Sequence, residues 1–294
     1  MDKEQLAIMR LRDAAKLSEH RFKMPLRVTY SGGKDSQVLL ALAERAGIDF
    51  EVINSHTTAD APETVYFIRQ QFHDLEQQGI KCKIIKPTYK EHPISMWTLI
   101  PLKLMPPTRT VRYCCQVLKE ANGKGRFNAT GVRWAESSRR KNSRGVMEVM
   151  NKDPKKRIIL ANDNDEKRQL FETCNLKAEM VVNPIIDWTD DDVWDYIHAE
   201  KLPYNPLYCE GFKRVGCIGC PLAGGKMMRK EFARWPQYEK LYIAAFDRML
   251  EERKVQGKET AEWKNGVDVF HWWIGDGVIS GQISMDELEE VEHE

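Results

Sequence analysis

The sequence predicts an α/β fold built on a parallel sheet, and two observations carry this prediction. Three apolar segments, at residues 26–31, 49–56 and 81–87, have the length of buried strands. Segments with the apolar spacing of helices follow the first two, at residues 37–46 and from Pro62 onward. Strands that alternate with helices are typical of a parallel sheet, because each crossover returns the chain to the same edge.

The other elements of the first half follow in chain order. Residues 3–20 have the pattern of an amphipathic helix. Pro62 suits the first turn of a helix, since the missing N–H group would have no partner there. The apolar side chains of this helix fall on one face and are Val65, Ile68, Phe72 and Leu75. Residues 88–112 are proline-rich and are expected to be irregular, and residues 126–132 are predicted to form a fourth strand.

The second half begins with a polar segment, residues 139–175, which is predicted to be a partly mobile insertion. The apolar run at residues 180–188 resumes the sheet. Thr189 then begins a helix, with Asp192 completing a capping box. A further helix is predicted to start at Pro236.

The length of 294 residues indicates one large domain or two. We predict an α/β domain over residues 1–185, followed by a smaller, mostly helical region over residues 186–294 that carries a cysteine cluster. No apolar run reaches the roughly 18 residues of a membrane span, and the N-terminus lacks the apolar core of a secretory signal. A cytoplasmic protein without a membrane partner is therefore expected.

The net charge of +1 gives no global signal for nonspecific nucleic-acid binding. Charge is nevertheless uneven along the chain. Residues 137–157 are basic, and the last residues are acidic. Both segments are interpreted first as solvated loop and tail, with contact to a nucleic-acid backbone as the alternative for the basic one.

The segment Ser31-Gly-Gly-Lys-Asp-Ser36 follows the first strand and opens a helix. Such a turn is a preformed anion site, because its N–H groups point outward and the helix dipole adds positive potential. Gly32 and Gly33 let the backbone approach a ligand, Lys34 adds a charge, and Ser31 and Ser36 offer hydroxyl donors. Asp35 either helps to hold Mg²⁺ or caps the helix.

The order of residues in this loop differs from Walker A, whose two glycines are separated by four residues. It resembles instead the pyrophosphate loop of the adenine-nucleotide α-hydrolase families, which cleave ATP between the α and β phosphates. Ligands of open α/β sheets lie beyond the carboxyl ends of the strands. We therefore expect Ser55, His56 and Thr57 to face the adenosine. Asp60 is a candidate metal ligand, although turn and cap chemistry explains Asp60 and Glu63 equally well.

Three more motifs accompany the loop: RYCCQVLKE from Arg112, GVRWAESSRR from Gly131 and NPLYCEGFKRVGCIGCP from Asn205. Together with the loop they resemble the phosphoadenosine-phosphosulfate reductase family over residues 25–225, apart from the insertion. The resemblance implies a Rossmann-like sheet, with helices on both faces, that binds an adenosine nucleotide at the loop. It also implies that an arginine motif contacts the charged end of the nucleotide; its residues are Gly131, Arg133, Glu136, Ser137 and Arg140. Arginine offers oxyanions a rigid fork of donors.

Seven cysteines, an odd number, argue against a disulfide framework and favour metal or redox chemistry. Cys217 and Cys220 form a C-x-x-C turn, and a double cysteine lies far upstream. This combination resembles the [4Fe–4S] ligand set of adenylylsulfate reductases, although Zn²⁺ accepts the same donors. The metal-ligand candidates are Cys114, Cys115, Cys209, Cys217 and Cys220, five cysteines for four positions. Either the double cysteine or Cys209 with Cys115 completes the set, while Cys82 and Cys174 are assigned to a strand and to the insertion.

The family contains reductases of adenylyl sulfate (APS) or its 3′-phosphorylated form (PAPS), as well as ATP pyrophosphatases that support sulfur insertion, such as the DndC-type proteins. A reductase of the family needs a nucleophilic cysteine near its C-terminus, and no cysteine follows Cys220 in this sequence. We therefore favour an ATP pyrophosphatase that adenylates an acceptor with Mg²⁺ and then exchanges AMP for sulfur. Its predicted catalytic residues are Lys34, Asp35 and Arg133.

Three further expectations concern partners and alternatives. The acceptor could be a nucleic acid, contacted by the basic insertion and by Trp97 and Trp134 as exposed aromatics, although such aromatics more often belong to a core. In the arginine motif, Arg139 and Arg144 are either nucleotide contacts or surface residues. A cysteine desulfurase or another sulfur donor is the second expected partner. The alternative functions are a reductase that releases sulfite and a non-catalytic subunit that binds an adenosine nucleotide.

Overall fold

The computed structural model describes residues 2–120, 125–151, 153, 156–165, 179–258 and 262–275. The chain forms two compact units, each made of several segments. The first unit contains residues 1–55, 62–85 and 122–215, and the second contains residues 56–61, 86–121 and 216–294. The predicted domain boundary near residue 185 lies inside the first unit, because the last parallel strand, the helix after it and the segment up to residue 215 all belong to the sheet-containing unit.

The first unit holds a seven-stranded sheet and its helices. Its helices are α1 (Lys3–Phe22), α2 (Lys34–Ala46), α3 (Pro62–Gln77), α6 (Ser138–Ser143) and α7 (Asp190–Ala199). Its strands are β1 (Leu26–Thr29), β2 (Phe50–Ser55), β3 (Lys81–Ile85), β6 (Phe127–Ala129), β7 (Met147–Val149), β8 (Ile158–Leu160) and β9 (Met180–Val182). The predicted α/β class, with a mostly parallel sheet, is thereby confirmed.

The strand order is β3-β2-β1-β6-β9-β7-β8. The first five strands are parallel, and their register pairs Val28 with Val52 and Ala129 with Val182. Their carboxyl ends therefore meet at one edge, where ligands of such sheets bind. The central strands are buried on both faces, as Leu26, Val28 and Phe127 show with no exposed surface.

The predicted insertion at residues 139–175 contributes more to the sheet than its polar composition indicates. Strand β7 pairs antiparallel with both β9 and β8. Two short apolar runs, Met147–Val149 and Ile158–Leu160, supply these strands, and their residues are at least half-buried. The interpretation as a mobile polar segment was therefore wrong for these residues, because three-residue apolar runs are enough to extend an existing sheet edge.

The second unit is mostly helical. Its helices are α4 (Met96–Lys103), α5 (Tyr113–Leu118), α8 (Gly225–Arg234), α9 (Pro236–Val255) and α10 (Gly266–Ile274). A two-stranded ribbon joins β4 (Thr88–Tyr89) to β5 (His92–Pro93) in the stretch predicted to be irregular. Aromatic rings fill the interior, where Tyr242 lies 4.6 Å from Trp273 between ring centroids. No helix among the described residues is long and apolar enough to span a membrane.

Candidate functional site

The turn between β1 and α2 has a shape that only glycine allows at its second position. Gly32 has a φ angle of +74°, in the left-handed region. A Cβ atom there would also lie 2.9 Å from Cγ1 of Ile68. Helix α2 begins at Lys34 with Gly33 as its N-cap and without a side-chain cap. The cap role considered for Asp35 is therefore wrong, because its carboxylate binds a distant arginine instead.

The two serines of the loop hold the turn in shape. The Ser36 hydroxyl donates to the Gly33 carbonyl at 2.8 Å and accepts the Ser31 N–H at 3.2 Å. The Ser31 hydroxyl lies 3.3 Å from that of Ser36. Within the described part of the chain, no protein acceptor meets the N–H groups of Gly32 and Gly33. Free N–H groups before a helix give this turn the features of an anion-binding site, and ligand binding there stays a prediction.

Four charged groups form one network at the loop. The Lys34 ammonium lies 2.8 Å from Oδ1 of Asp190 and 3.7 Å from Oδ2 of Asp35. The guanidinium of Arg133 donates through Nε to Asp35 at 2.6 Å and through a terminal nitrogen to Asp190 at 2.8 Å. Its other terminal nitrogen donates to the Trp188 carbonyl at 3.3 Å. Two cations thus face two carboxylates, and their charges cancel.

The network favours the ionised forms of Asp190 and Arg133. Partial burial alone would raise the pKa of Asp190, but hydrogen bonds and charge from Lys34 and Arg133 outweigh it and lower that pKa. Burial alone would lower the pKa of Arg133, but Asp35 and Asp190 raise it. Arg133 is 2% exposed, whereas the side chain of Asp190 is 61% exposed. The arginine is therefore a fixed internal support, and the aspartate lies at the open side.

The predicted arginine motif is built around the same turn. A Cβ atom on Gly131 would lie 3.0 Å from the backbone carbonyl of Asp35, so glycine permits this close approach. Glu136 accepts the N–H of Arg133 at 3.1 Å and also pairs with Arg140. Ser137 caps α6 by accepting the N–H of Arg140 at 3.3 Å.

Three of the five N–H donors of Arg133 are engaged within the protein, and its contact with a nucleotide stays a prediction. Arg144 pairs with the buried Glu148 at 2.7 Å. Burial, together with the charges of Arg214 and Arg144, lowers the pKa of Arg140, although Glu136 opposes this shift. Contact of Arg140 with a nucleotide stays a prediction, and the side chain of Arg139 lies outside the described residues.

Three residues of the site escaped the sequence analysis. Asp190, the first residue of α7, was given no role beside Thr189 and Asp192. Asn205 donates to the Gly32 carbonyl at 3.3 Å, and Tyr208 accepts the N–H of Lys34 at 2.9 Å. Burial raises the pKa of Tyr208 to about 12. Asp190 had a usable signal because it follows an apolar strand whose carboxyl end belongs to the ligand edge, and Asn205 and Tyr208 lie in the motif that begins at Asn205.

The residues predicted to face adenosine fall in different units. Ser55 ends β2 in the first unit, whereas His56 and Thr57 belong to the second. Thr57 is 1% exposed, and its hydroxyl accepts the thiol of Cys217 at 3.3 Å. Asp60 accepts the N–H of Thr57 at 2.7 Å. An adenosine contact of these residues stays a prediction.

Four of the five candidate thiols interact within the second unit. Cys114 and Cys115 lie in the first turn of α5, and Arg112 donates to the sulfur of Cys115 at 3.3 Å. A hydrogen bond from Cys114 and the charge of Arg112 lower the pKa of Cys115, whereas the bond to Cys115 and burial raise that of Cys114. The charges of Cys217 and Cys220 act on Cys114 as well. The four thiols therefore form one electrostatic group, which we call the cysteine group.

Gly219 allows the C-x-x-C turn of the cysteine group to pack closely. Its φ angle is +70°, and a Cβ atom there would lie 2.7 Å from Phe232 and 2.9 Å from Tyr242. Among the described residues, no three His, Cys, Asp or Glu side chains already have the spacing of metal ligands. The donor chemistry of four thiols beside the cation Arg112 nevertheless fits an iron–sulfur cluster or Zn²⁺.

The remaining cysteines have other surroundings. Cys209 belongs to the first unit and is exposed, and its sulfur lies 3.9 Å from the Tyr204 hydroxyl. Cys82 is half-buried on β3, as predicted for a strand residue, and burial raises its pKa to about 11. Cys174 lies outside the described residues.

The two tryptophans expected to be exposed are both partly buried. Trp97 packs edge-on against Tyr242 at 4.9 Å between ring centroids. Trp134 packs against the core of the first unit, and its indole N–H donates to the Arg144 carbonyl at 2.9 Å. Both rings therefore take part in packing, the alternative named for them, and contact of either ring with a nucleic acid stays a prediction.

The parallel sheet with a glycine-rich anion loop at its carboxyl edge defines a nucleotide-binding type of α/β protein. The chain matches the phosphoadenosine phosphosulfate reductase domain over residues 25–223, more than half of its length. It belongs to this family, which confirms the resemblance carried by the four motifs.

Individual relatives are more distant. An uncharacterised protein of Methanocaldococcus jannaschii is 29% identical over 234 residues, which cover 74% of this chain and 42% of that protein. The chain therefore spans less than half the length of this relative. The adenosine 5′-phosphosulfate reductase of Bacillus thuringiensis is 24% identical, over 73% of this chain and 80% of its own. The U34-tRNA thiolase of Methanococcus maripaludis, solved with its [4Fe–4S] cluster, is 15% identical with a TM-score of 0.44, over 94% of this chain and 85% of its own.

Proposed function

We propose that this protein is an ATP pyrophosphatase that adenylates an acceptor in preparation for sulfur transfer. One observation carries the proposal: the charges of Lys34, Asp35, Arg133 and Asp190 cancel at the loop. A polyphosphate chain brings several negative charges into a site that already holds two carboxylates. Such a ligand binds well only with a compensating cation, and carboxylates with phosphate oxygens are the ligands that Mg²⁺ prefers. Mg²⁺-bound ATP meets this requirement, whereas a sulfonucleotide without metal does not.

The residues of the loop have distinct roles in this reaction. The free N–H groups of Gly32 and Gly33 bind phosphate oxygens. Lys34 leaves Asp190 and stabilises the charge on the departing pyrophosphate. Asp35 and Asp190 would hold Mg²⁺, which supplies Lewis-acid stabilisation of the same leaving group. Arg133, which is buried and uses three N–H donors inside the protein, fixes the orientation of Asp35.

The cysteine group would hold the cofactor. We infer a [4Fe–4S] cluster on Cys114, Cys115, Cys217 and Cys220. Zn²⁺ is the alternative, because it accepts the same four ligands. Support comes from the mutual interactions of the four thiols and from the cations Arg112 and Lys119, which favour thiolates and a net-negative cluster. The cluster would supply a site for sulfur, and the protein residues would keep it in place.

The acceptor and the sulfur donor belong to the same proposal. The charges of Arg144 and Arg214 act on Arg140, so three arginines share one region of the first unit. A phosphodiester backbone is the acceptor chemistry that such a cluster favours, and we therefore propose a nucleic-acid acceptor. A cysteine desulfurase or another cytoplasmic sulfur donor would supply the sulfur.

A reductase is the second candidate, because an adenosine 5′-phosphosulfate reductase matches the chain over 73% of its length. The two functions have different products. The experiment is therefore an anaerobic assay of one preparation with Mg²⁺ and ATP, and with APS or PAPS plus a thiol. The proposal predicts pyrophosphate from ATP and no sulfite. Sulfite from a sulfonucleotide would establish the reductase, and tight nucleotide binding without either product would indicate a non-catalytic subunit.

A further inference from the structure

The segment after helix α7 contacts the phosphate loop at two points. Asn205, which is 1% exposed, donates through its amide to the Gly32 carbonyl at 3.3 Å and to the Thr64 hydroxyl at 3.0 Å. Three residues later, the Tyr208 hydroxyl accepts the N–H of Lys34 at 2.9 Å. The segment therefore holds the turn on both sides of Gly33, although more than 170 residues separate it from the loop in the sequence.

The ring of Tyr208 is fixed before any ligand binds. Residues 206–208 form a short 3₁₀ helix, and the Asn205 side chain caps it by accepting the N–H of Leu207 at 3.1 Å. Trp194 packs against the Tyr208 ring at 5.1 Å between centroids, with the rings nearly perpendicular. Edge-to-face packing of this kind favours one ring orientation. The hydroxyl is thus held at the loop by the fold itself.

The position of this hydroxyl matters because it lies beside the free N–H groups. An ideal Cβ atom on Gly33 would lie 3.5 Å from the Tyr208 oxygen. The oxygen accepts the N–H of Lys34, so its own proton is available in another direction. Across the described residues, no protein acceptor receives that proton. A hydroxyl with an unused proton next to two unused N–H groups provides a third donor to the same anion.

We propose that Tyr208 is a substrate-contacting residue whose hydroxyl donates to an oxygen of the bound phosphate chain while it accepts the N–H of Lys34. This inference rests on the proposed function, since it assigns one more ligand contact to the same loop. The contact would contribute to specificity for the phosphate chain, because the hydroxyl donates to an anionic oxygen and does not contact the nucleoside. Asn205 acts through the loop backbone and is a positioning residue.

The test compares Tyr208→Phe with Tyr204→Phe. Both changes remove one hydroxyl from rings that pack against Trp194, but only Tyr208 contacts the loop. Calorimetric titration with inorganic pyrophosphate and Mg²⁺ gives the dissociation constant, and kcat and KM for ATP are measured on the same preparations. A hydrogen bond to a charged group predicts that Tyr208→Phe weakens pyrophosphate binding about tenfold or more. The KM for ATP should rise in parallel, and Tyr204→Phe should match the wild type.

Unchanged pyrophosphate affinity in Tyr208→Phe would overturn the inference, and so would an equal loss in Tyr204→Phe, which would indicate ring packing instead. The proposed function fails separately. If the wild type binds pyrophosphate in a Tyr208-dependent way but releases none from ATP, the inference stands and the pyrophosphatase does not. If the wild type releases pyrophosphate from ATP and Tyr208→Phe binds pyrophosphate as tightly as the wild type, the proposed function stands and the role of Tyr208 does not. A wild type that does not bind pyrophosphate overturns the inference, and one that also releases no pyrophosphate from ATP overturns the proposed function as well.

Discussion

The phosphate loop and the cysteine group differ in the groups that surround their cations, which are carboxylates at the loop and include thiols at the cysteine group. At the loop, Lys34 and Arg133 are matched by Asp35 and Asp190, so the region is neutral before a ligand binds. At the cysteine group, Cys115, Glu120 and Cys220 act on Arg112, and Cys217, Asp60, Cys115 and Cys220 act on Lys119. The first region suits an anion that brings its own metal ion. The second suits a cofactor that converts thiols into thiolates and is itself negative.

The largest effect should come from Lys34→Ala, which removes the cation of the loop and leaves Asp35 and Asp190 against the phosphates. Loss of one preorganised donor to a leaving group predicts a decrease of about 10²–10³-fold in kcat for pyrophosphate release. Lys16→Ala, at an exposed position of α1, is the matched control. Full activity of Lys34→Ala in a pyrophosphate-release assay would contradict the assignment of this loop as the site that binds the phosphate chain.

The cysteine group is tested by Cys217→Ser, with Cys82→Ser as the control thiol on β3. Because an iron–sulfur cluster needs thiolate ligands, we expect Cys217→Ser to lose most of its iron and sulfide and its visible absorption, whereas Cys82→Ser keeps them. ATP binding at the loop should persist in both variants. If Cys217→Ser retained its full iron content, the assignment of the four thiols would be incorrect, and stoichiometric zinc in the wild type would favour a Zn²⁺ site.

Asp190→Asn tests whether the carboxylate at the open side of the loop serves the metal ion. The change keeps the shape but removes one of two proposed Mg²⁺ ligands, so we expect the Mg²⁺ concentration for half-maximal activity to rise roughly tenfold. It also leaves the network with an excess positive charge, which should strengthen the binding of metal-free ATP. Asp191→Asn, one residue along the same helix turn, is the control. Identical Mg²⁺ titrations for all three proteins would remove Asp190 from the site.

The smallest expected effect comes from Asp192, which follows Asp190 by two residues in α7 but bonds to Lys3 and Thr189 instead of the loop. Burial alone would raise the pKa of Asp192, but hydrogen bonds from Lys3 and from the Thr189 backbone and hydroxyl lower it from 3.8 to about 2. A carboxylate with a depressed folded-state pKa stabilises the fold above its unfolded pKa, and this contribution disappears as pH falls from about 4 to about 2. Partial exposure limits it to about 1 kcal/mol or less.

Asp192→Asn should therefore lower the free energy of unfolding slightly at pH 7 and leave it unchanged near pH 2. Urea titrations at both pH values measure the difference. A larger loss at pH 2 than at pH 7 would contradict the sign of this pKa shift.

Local patterns predicted the loop and the strand before it, because chemistry and backbone geometry coincide in a few adjacent residues. Gly32 and Lys34 could be assigned a role from their neighbours alone. The partners of the loop could not, since the bond between Arg133 and Asp35 joins residues 98 positions apart and that between Lys34 and Tyr208 joins residues 174 apart. The spacing of apolar residues predicts local helices and strands, but it does not predict contacts between residues so far apart in the sequence.

The motif around Arg133 shows the limit most clearly. The sequence singled out its residues, and contact with a nucleotide stays a prediction, but only the fold reveals that Asp35, Asp190 and Trp188 accept three hydrogen bonds from the buried Arg133. The strands β7 and β8 were missed for a related reason. Three apolar residues are too few to be recognised as a strand until a neighbouring edge receives them.

The most direct test of the account is a crystal structure of the protein with Mg²⁺ and a non-hydrolysable ATP analogue. The account predicts that the phosphate chain lies on the N–H groups of Gly32 and Gly33 with the Lys34 ammonium turned from Asp190 to a phosphate oxygen. A nucleotide bound elsewhere, with the turn at residues 31–36 unoccupied and the bond between Lys34 and Asp190 intact, would contradict it.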